Sequence, residues 1–460
     1  MTCVIGSPSS NSGKTILSLL LTAWANHYNL KLQSFKVGPD YLDQQQLTYI
    51  SKINCQNLDT FLTSKDWVVN RFYELTSKSD VSLIEGVMGL FDGVGSSDES
   101  STAEIAKLLN LPIILIIDAH GQSRSIAALI KGFTEFDQEI NIIGVVFNNV
   151  NSKRHESILR EATIGIGLKI LGCLPSDPNL KITSGNLGLK SPYEKVDNVK
   201  INYLVDFAER YLDLVQFEKL LKSPKVSRKK TMNSLLIPPR QKNFSIAIAN
   251  DKVFHFRYPE TIEYLESQNI NVIPWRPYEN ELIPKEAKGL IIPGGFPERF
   301  ADELSYCKKS IMSLIDFHKK APIYAECGGM LLLGDYIYDE TGKKHKMAGI
   351  LPFSSKKGNL KVGYRLIRGI KDSLISRKDA YFKGHEFHYW EIFNEINSQN
   401  INSHSNTNKY SPPWEIRNSS SNYIPEGWSN NMIHASWIHL HWPTSNQINN
   451  FLNYAEKLIN

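Results

Sequence analysis

Thr2–Trp24 reads TCVIGSPSSNSGKTILSLLLTAW, and its three parts decide the fold of the N-terminal half. Thr2–Gly6 is a short apolar strand, Ser9-Ser10-Asn11-Ser12-Gly13-Lys14-Thr15 is a loop of small residues, and Ile16–Trp24 is an apolar helix. A strand, such a loop and a helix in that order make a phosphate cradle. Backbone N–H groups and the helix N-terminus face the anion, Lys14 reaches the β- and γ-phosphates, and the Thr15 hydroxyl reaches Mg2+. Ser12, Gly13, Lys14 and Thr15 are therefore expected to bind ATP. The loop departs from the glycine-richer pattern at Pro8 and Asn11, with Lys14 and Thr15 intact. The Ile16–Trp24 run lacks the basic flank of a signal peptide and is far shorter than the ~20 apolar residues a membrane span needs.

Outward from this stretch, apolar runs alternate with helical segments. Leu32–Val37, Val81–Glu85, Pro112–Asp118, Ile140–Phe147 and Lys169–Leu174 read as further strands, with helices such as Ser101–Leu109 and Ser123–Phe133 between them. Strands apolar almost without interruption are buried on both faces, so the pattern predicts an α/β, doubly wound parallel sheet. Two acidic turns fall at the carboxyl ends of strands, where ligands bind in such sheets. Lys36–Asp43 (KVGPDYLD) follows one and Glu85–Gly93 (EGVMGLFDG) another, so Asp40 and Glu85 are expected to converge with Thr15 on a metal beside Lys14.

A chain of 460 residues exceeds one ordinary core. Leu221–Asn243, rich in lysine and proline, reads as a linker between an ATP-binding domain over 1–220 and a second α/β domain over 244–460. That domain opens with strand Phe244–Ala249, a helix around Pro259–Ser267, and strands Val272–Pro274, Gly289–Ile292 and Ile323–Ala325. Asn397–Asn422, rich in Asn and Ser, reads as a long loop or local disorder rather than an element.

Ile323–Met330 (IYAECGGM) is an apolar strand ending in a cysteine beside two glycines. A nucleophile on a tight strand-to-helix turn needs such small neighbours, which marks Cys327 as catalytic. Upstream, the turn Ile291–Glu298 (IIPGGFPE) offers the N–H groups of Gly294 and Gly295 as an oxyanion hole. A thiol also needs a base, and Trp437–Trp442 (WIHLHW) supplies His439 and His441 on an expected strand. Gly384–Tyr389 (GHEFHY) is one residue short of the zinc-binding H-E-x-x-H spacing and reads as a pocket wall.

Bulk properties narrow the class. A net charge of +5 spread over the chain suits anionic small molecules and is too dilute for a nucleic-acid protein. Five cysteines with no C-x-x-C pair indicate neither a disulfide framework nor a zinc ribbon, which fits a reducing, cytoplasmic setting with no membrane partner.

Taken together, KVGPDYLD, EGVMGLFDG, YAECGG (Tyr324–Gly329) and GHEFHY resemble the motifs of the cobyrinate a,c-diamide synthase family, in matching order over nearly the whole chain. The resemblance implies a dethiobiotin-synthetase-like P-loop domain joined to a class I glutamine amidotransferase domain. It implies a ligase of cobalamin biosynthesis that uses ATP, Mg2+ and L-glutamine to amidate the a and c acetate carboxylates of cobyrinate, a corrin, through acyl phosphates. By position it makes Cys327 the nucleophile and His439 the base, Tyr41 and Asp43 substrate contacts, and Asn148 a base-recognition residue. Many class I glutaminases carry a glutamate two residues after the histidine. His441 stands there, consistent with a Cys–His dyad and leaving open what orients His439. Other substrates on the same plan are hydrogenobyrinate and nickel-sirohydrochlorin. A reading from a different class is a ParA-like nucleotide switch with a non-catalytic second domain.

Overall fold

In the computed structural model the opening strand is β1 (Cys3–Gly6), and its loop leads into helix α1 (Lys14–His27). The structure describes residues 1–180, 198–224, 239–394, 410–417, 422–445 and 447–458. The chain divides into two units, Met1–Asn233 and Ser234–Asn460.

The first unit is built on β1 and six more strands: β2 (Leu32–Val37), β3 (Gln56–Leu58), β4 (Val81–Glu85), β5 (Ile113–Asp118), β6 (Ile142–Asn148) and β7 (Lys169–Cys173). All pair in parallel, in the order β3-β2-β4-β1-β5-β6-β7. Strands β1, β2 and β4 are buried along their whole length, which is why their sequences carry no polar alternation. The sheet is laid down on both sides of β1, so the crevice at its carboxyl end is a switch point of the kind where ligands bind. Strand β3 and helix α2 (Leu42–Ser51) went unread in the sequence because QNL and LDQQQLTYIS lack an apolar pattern.

The second unit holds β8 (Phe244–Ala249), β9 (Phe254–Phe256), β10 (Ile270–Trp275), β11 (Ala287–Ile292), β12 (Gly294–Gly295) and β13 (Ile323–Glu326). Its main sheet runs β10-β8-β11-β13, then the strand Ile433–Ser436, all parallel, with Trp428–Ser429 antiparallel at the edge. A second sheet is dominated by the hairpin Ser354–Gly369 and Tyr381–Phe393, which carries the GHEFHY motif.

Two expectations are corrected. Trp437–Trp442 is not a strand: pairing stops at Ser436, and His439 makes an isolated bridge with His385. The cause is local, because carboxylates capture the backbone donors that a ladder would use. Trp437 N–H goes to Glu426 at 2.8 Å and Leu440 N–H to Glu326 at 3.1 Å. Within the expected loop, Trp414–Arg417 is a strand paired with Leu366–Gly369, its Trp414 fully buried. Residues 397–409 and 418–421 of that loop, and 225–238 of the expected linker, lie outside the described residues. Among the described residues no helix is long and apolar enough to cross a membrane.

Candidate active site

The phosphate loop is held by backbone that few side chains tolerate. Asn11 and Gly13 are left-handed, at φ 62° and 114°. A Cβ on Gly13 would lie 2.5 Å from the Asn148 amide nitrogen, which itself donates to the Ser12 carbonyl at 3.0 Å. Asn148, at the end of β6, thus braces the loop. Lys14 Nζ donates to Ser7 Oγ at 2.8 Å and to the Ser9 and Met88 carbonyls, all neutral oxygens. Burial, helped by the nearby Lys36 charge, lowers its pKa to about 8. An ammonium so placed lacks the anion that a nucleotide phosphate provides.

Beside it the structure gathers Thr15, Lys36, Asp43 and Glu85. Thr15 Oγ1 lies 2.7 Å from Glu85 Oε1 and 3.2 Å from Asp43 Oδ2. Lys36 Nζ sits 2.8 Å and 2.6 Å from those two oxygens, and 3.8 Å from Asp40. Burial works against the Lys36 charge, but Asp43, Glu85 and Asp40 hold its pKa well above the ordinary value. Asp40 instead caps α2, its Oδ1 accepting from the Leu42 and Asp43 N–H groups at 2.9 and 3.0 Å. Beside Glu85, the carboxylate that reaches Thr15 from the acidic turn is therefore Asp43, not the expected Asp40; the neighbouring Tyr41 is buried. Lys36 was missed, although a lone lysine inside a fully buried strand is itself a signal.

Asp43 Oδ1 and Glu85 Oε2 are buried without partners. Two carboxylates and a hydroxyl suit Mg2+, which takes few protein ligands and completes its shell with water and phosphate. Among the described residues no group of three or more His, Cys, Asp or Glu side chains is arranged to hold a metal.

In the second unit, Cys327 follows β13 with φ 47° and ψ −115° and opens the helix Gly328–Leu333. A cysteine in the left-handed region is strained, and its neighbours fix it there. Its N–H donates to the Ser436 carbonyl at 2.7 Å. A Cβ on Gly328 would lie 2.6 Å from the Gly295 carbonyl oxygen, and one on Gly329 2.2 Å from that of Ile292. Gly295 in turn has the Val253 carbonyl oxygen 1.7 Å from where its Cβ would stand. Only glycine lets the turn at Gly294–Gly295 and the turn at Cys327 close on each other.

His439 completes the cluster. A Cβ on Gly294 would lie 2.6 Å from its Cε1 and 3.4 Å from its Nε2, so that edge of the ring faces the glycine turn. Its backbone bonds with His385 in both directions, at 3.1 and 2.8 Å, and the two rings stack at 4.9 Å. His441 turns elsewhere, to Thr444 Oγ1 at 2.8 Å and the Tyr258 ring at 5.2 Å. His388 stacks on Trp437 at 3.7 Å. The buried Cys327 thiol donates to the Phe387 carbonyl at 3.9 Å. Burial, then the charges of Glu298, Glu326 and Glu386, push its pKa well above the ordinary range, so the resting group is a thiol. Glu298, unnoticed in the sequence reading, is itself pushed up to about 7 by burial.

The two units match separate family models: residues 2–183 the AAA domain, and residues 245–447 the CobB/CobQ-like glutamine amidotransferase domain. Similar proteins extend over both. The cobyrinate a,c-diamide synthase of Syntrophotalea carbinolica is 35% identical over 450 residues, covering 95% of each chain. That of Picrophilus torridus is 36% identical over 451 residues, covering 97% of this chain and 96% of the relative. That of Caldanaerobacter subterraneus is 36% identical over 395 residues, covering 85% and 86%. The chain belongs to the cobyrinate a,c-diamide synthase family of glutamine-dependent amidotransferase ligases.

Proposed function

We propose that this protein amidates the a and c acetate carboxylates of cobyrinate, using ATP to activate each carboxylate and glutamine as the nitrogen source. The observation that supports this best is that one chain carries both halves of the chemistry: an anion cradle around Lys14, and a strained, glycine-packed Cys327 closed against the Gly294–Gly295 turn that His439 faces.

In the second unit, His439 takes the Cys327 proton as sulfur attacks the side-chain amide carbon of glutamine. The N–H groups at Gly294–Gly295 receive the oxyanion, ammonia leaves with a proton returned by His439, and water hydrolyses the γ-glutamyl thioester. In the first unit the substrate carboxylate attacks the γ-phosphorus of ATP, giving an acyl phosphate and ADP. Ammonia then displaces phosphate, and the amide forms. Lys14 neutralises charge on the transferred group, while Asp43, Glu85 and Thr15 are the residues that would hold magnesium; bound there, the ion offsets charge on the β- and γ-phosphates. Asp40 and Tyr41 stand at the same strand end and are assigned to the substrate side.

Replacing Cys327 by Ser tests the assignment. Glutamine-dependent amidation should fall by at least ~10³-fold while amidation supported by ammonium salts continues. Equal loss with both nitrogen sources would make Cys327 a structural residue and sink the reading.

A further inference from the structure

The family pattern leaves His439 without an acidic partner downstream, since His441 holds that position and faces Thr444. The structure supplies one from the other direction. We propose that Glu326, the residue immediately before the nucleophile, is the positioning carboxylate of His439, fixing the ring through Nδ1 so that Nε2 is the atom that works on Cys327. This rests on the reading of Cys327 and His439 given above.

Along β13, side chains at 324 and 326 share one face and those at 325 and 327 the other. Tyr324 accordingly packs in one core cluster, and Ala325 with Cys327 in another. The nucleophile and the residue before it therefore point to opposite faces at the strand's carboxyl end. The next strand pairs Glu326 with Ser436, and three residues later its chain bends back to place His439 over this end. A carboxylate at 326 is thus aimed at the segment that carries the base.

Both of its oxygens are used. Glu326 Oε2 lies 3.2 Å from His439 Nδ1. Its Oε1 accepts the Leu440 N–H at 3.1 Å and the Tyr324 hydroxyl. The carboxylate is almost fully buried, so its bonds are not diluted by water. It grips the imidazole and, through Leu440, the backbone that carries the imidazole. With His385 stacked on one side and Gly294 against the Cε1–Nε2 edge, the ring has a single orientation. A carboxylate on Nδ1 selects the tautomer protonated there, which puts the accepting lone pair for the thiol proton on Nε2, and it stabilises the imidazolium that results.

Glu326→Gln removes the charge and keeps the shape. Its amide can donate to Nδ1 and hold the ring in the wrong tautomer. Glutamine-dependent kcat should fall by about 10²-fold or more, with KM for glutamine changed by less than ~3-fold. Residual activity should climb with pH into the alkaline range, as thiolate forms without the base. Glu326→Asp should recover part of kcat and the wild-type pH profile. A purely structural role would not produce that split. Nitrogen NMR of the histidine side chains in the wild-type chain needs no variant, and should show His439 as the Nδ1–H tautomer. A folded Glu326→Gln protein with kcat within ~3-fold of wild type, or an Nε2–H tautomer in wild type, overturns the proposal. If that occurs while Cys327→Ser still abolishes glutamine use, only the positioning role fails. Persistence of glutamine use in Cys327→Ser would instead remove the reading beneath it.

Discussion

Lys14 makes its hydrogen bonds to neutral oxygens in a buried loop, and its pKa falls to about 8. A nucleotide phosphate beside it favours the charged form and raises that value. Binding at pH 8 should therefore take up on the order of half a proton, visible as binding heats that differ between buffers of unlike ionisation enthalpy. Lys14→Arg, charged throughout, should lose that difference; buffer-independent heats in the wild type would refute the argument. At this scale the sequence was informative where chemistry is local. Cys327, Gly294 and Gly295 announce themselves because a tight turn needs small neighbours. Lys36 and Glu326 did not, since the pairings with Glu85 and His439 that place them in a site span 49 and 113 residues. Asp40 was preferred to Asp43 because both sit in one acidic turn, and only the start of α2 decides which faces Thr15.

Elements were legible where apolar residues cluster in sequence, and burial alone was not enough, since β3 is buried throughout. Strand β5 opens with five consecutive apolar residues and β1 with three, and β2 and β4 keep apolar residues among polar ones, whereas the three-residue β3 and the polar helix α2 gave no period to count. The segment after Ser436 misled because its apolar alternation is strand-like, yet two carboxylates divert its N–H groups. The strand Ile433–Ser436 also holds His434, fully buried, with neither ring nitrogen partnered. It stacks on Tyr324 at 5.5 Å and meets Trp414 edge-on at 4.3 Å. Burial, then Lys371, depresses its pKa to about 3. The folded state thus keeps the ring neutral while the unfolded chain protonates it near 6.5, so its contribution is intact above that pH and is lost as pH falls toward 3. The loss reaches about 1.4 kcal/mol at pH 5.5. Denaturant unfolding at pH 7.5 and 5.5 should show His434→Phe reducing the acid sensitivity by about that amount; an unchanged difference would refute it. In the same unit, Gly295→Ala sets a methyl against the Val253 carbonyl and should cost about 3 kcal/mol, read as a lower unfolding midpoint.

For the whole molecule, Lys14 and Cys327 lie in separate units, Met1–Asn233 and Ser234–Asn460. Lys14→Ala should therefore abolish synthesis while glutamine hydrolysis persists, measured as glutamate release; loss of both together would contradict that separation. The composition and the strand–helix alternation were enough to anticipate two α/β units, because each winds around a buried parallel sheet. The proposed macrocycle was not legible in the same way, since no compact motif read in the sequence distinguishes one tetrapyrrole from another. The measurement that decides the account is the product mass after incubating the protein with cobyrinate, ATP and glutamine labelled at its amide nitrogen. The expected product is a corrin carrying two labelled amide nitrogens, absent when Cys327 is replaced by Ser. Recovery of unmodified cobyrinate would contradict the assignment of this corrin as the substrate.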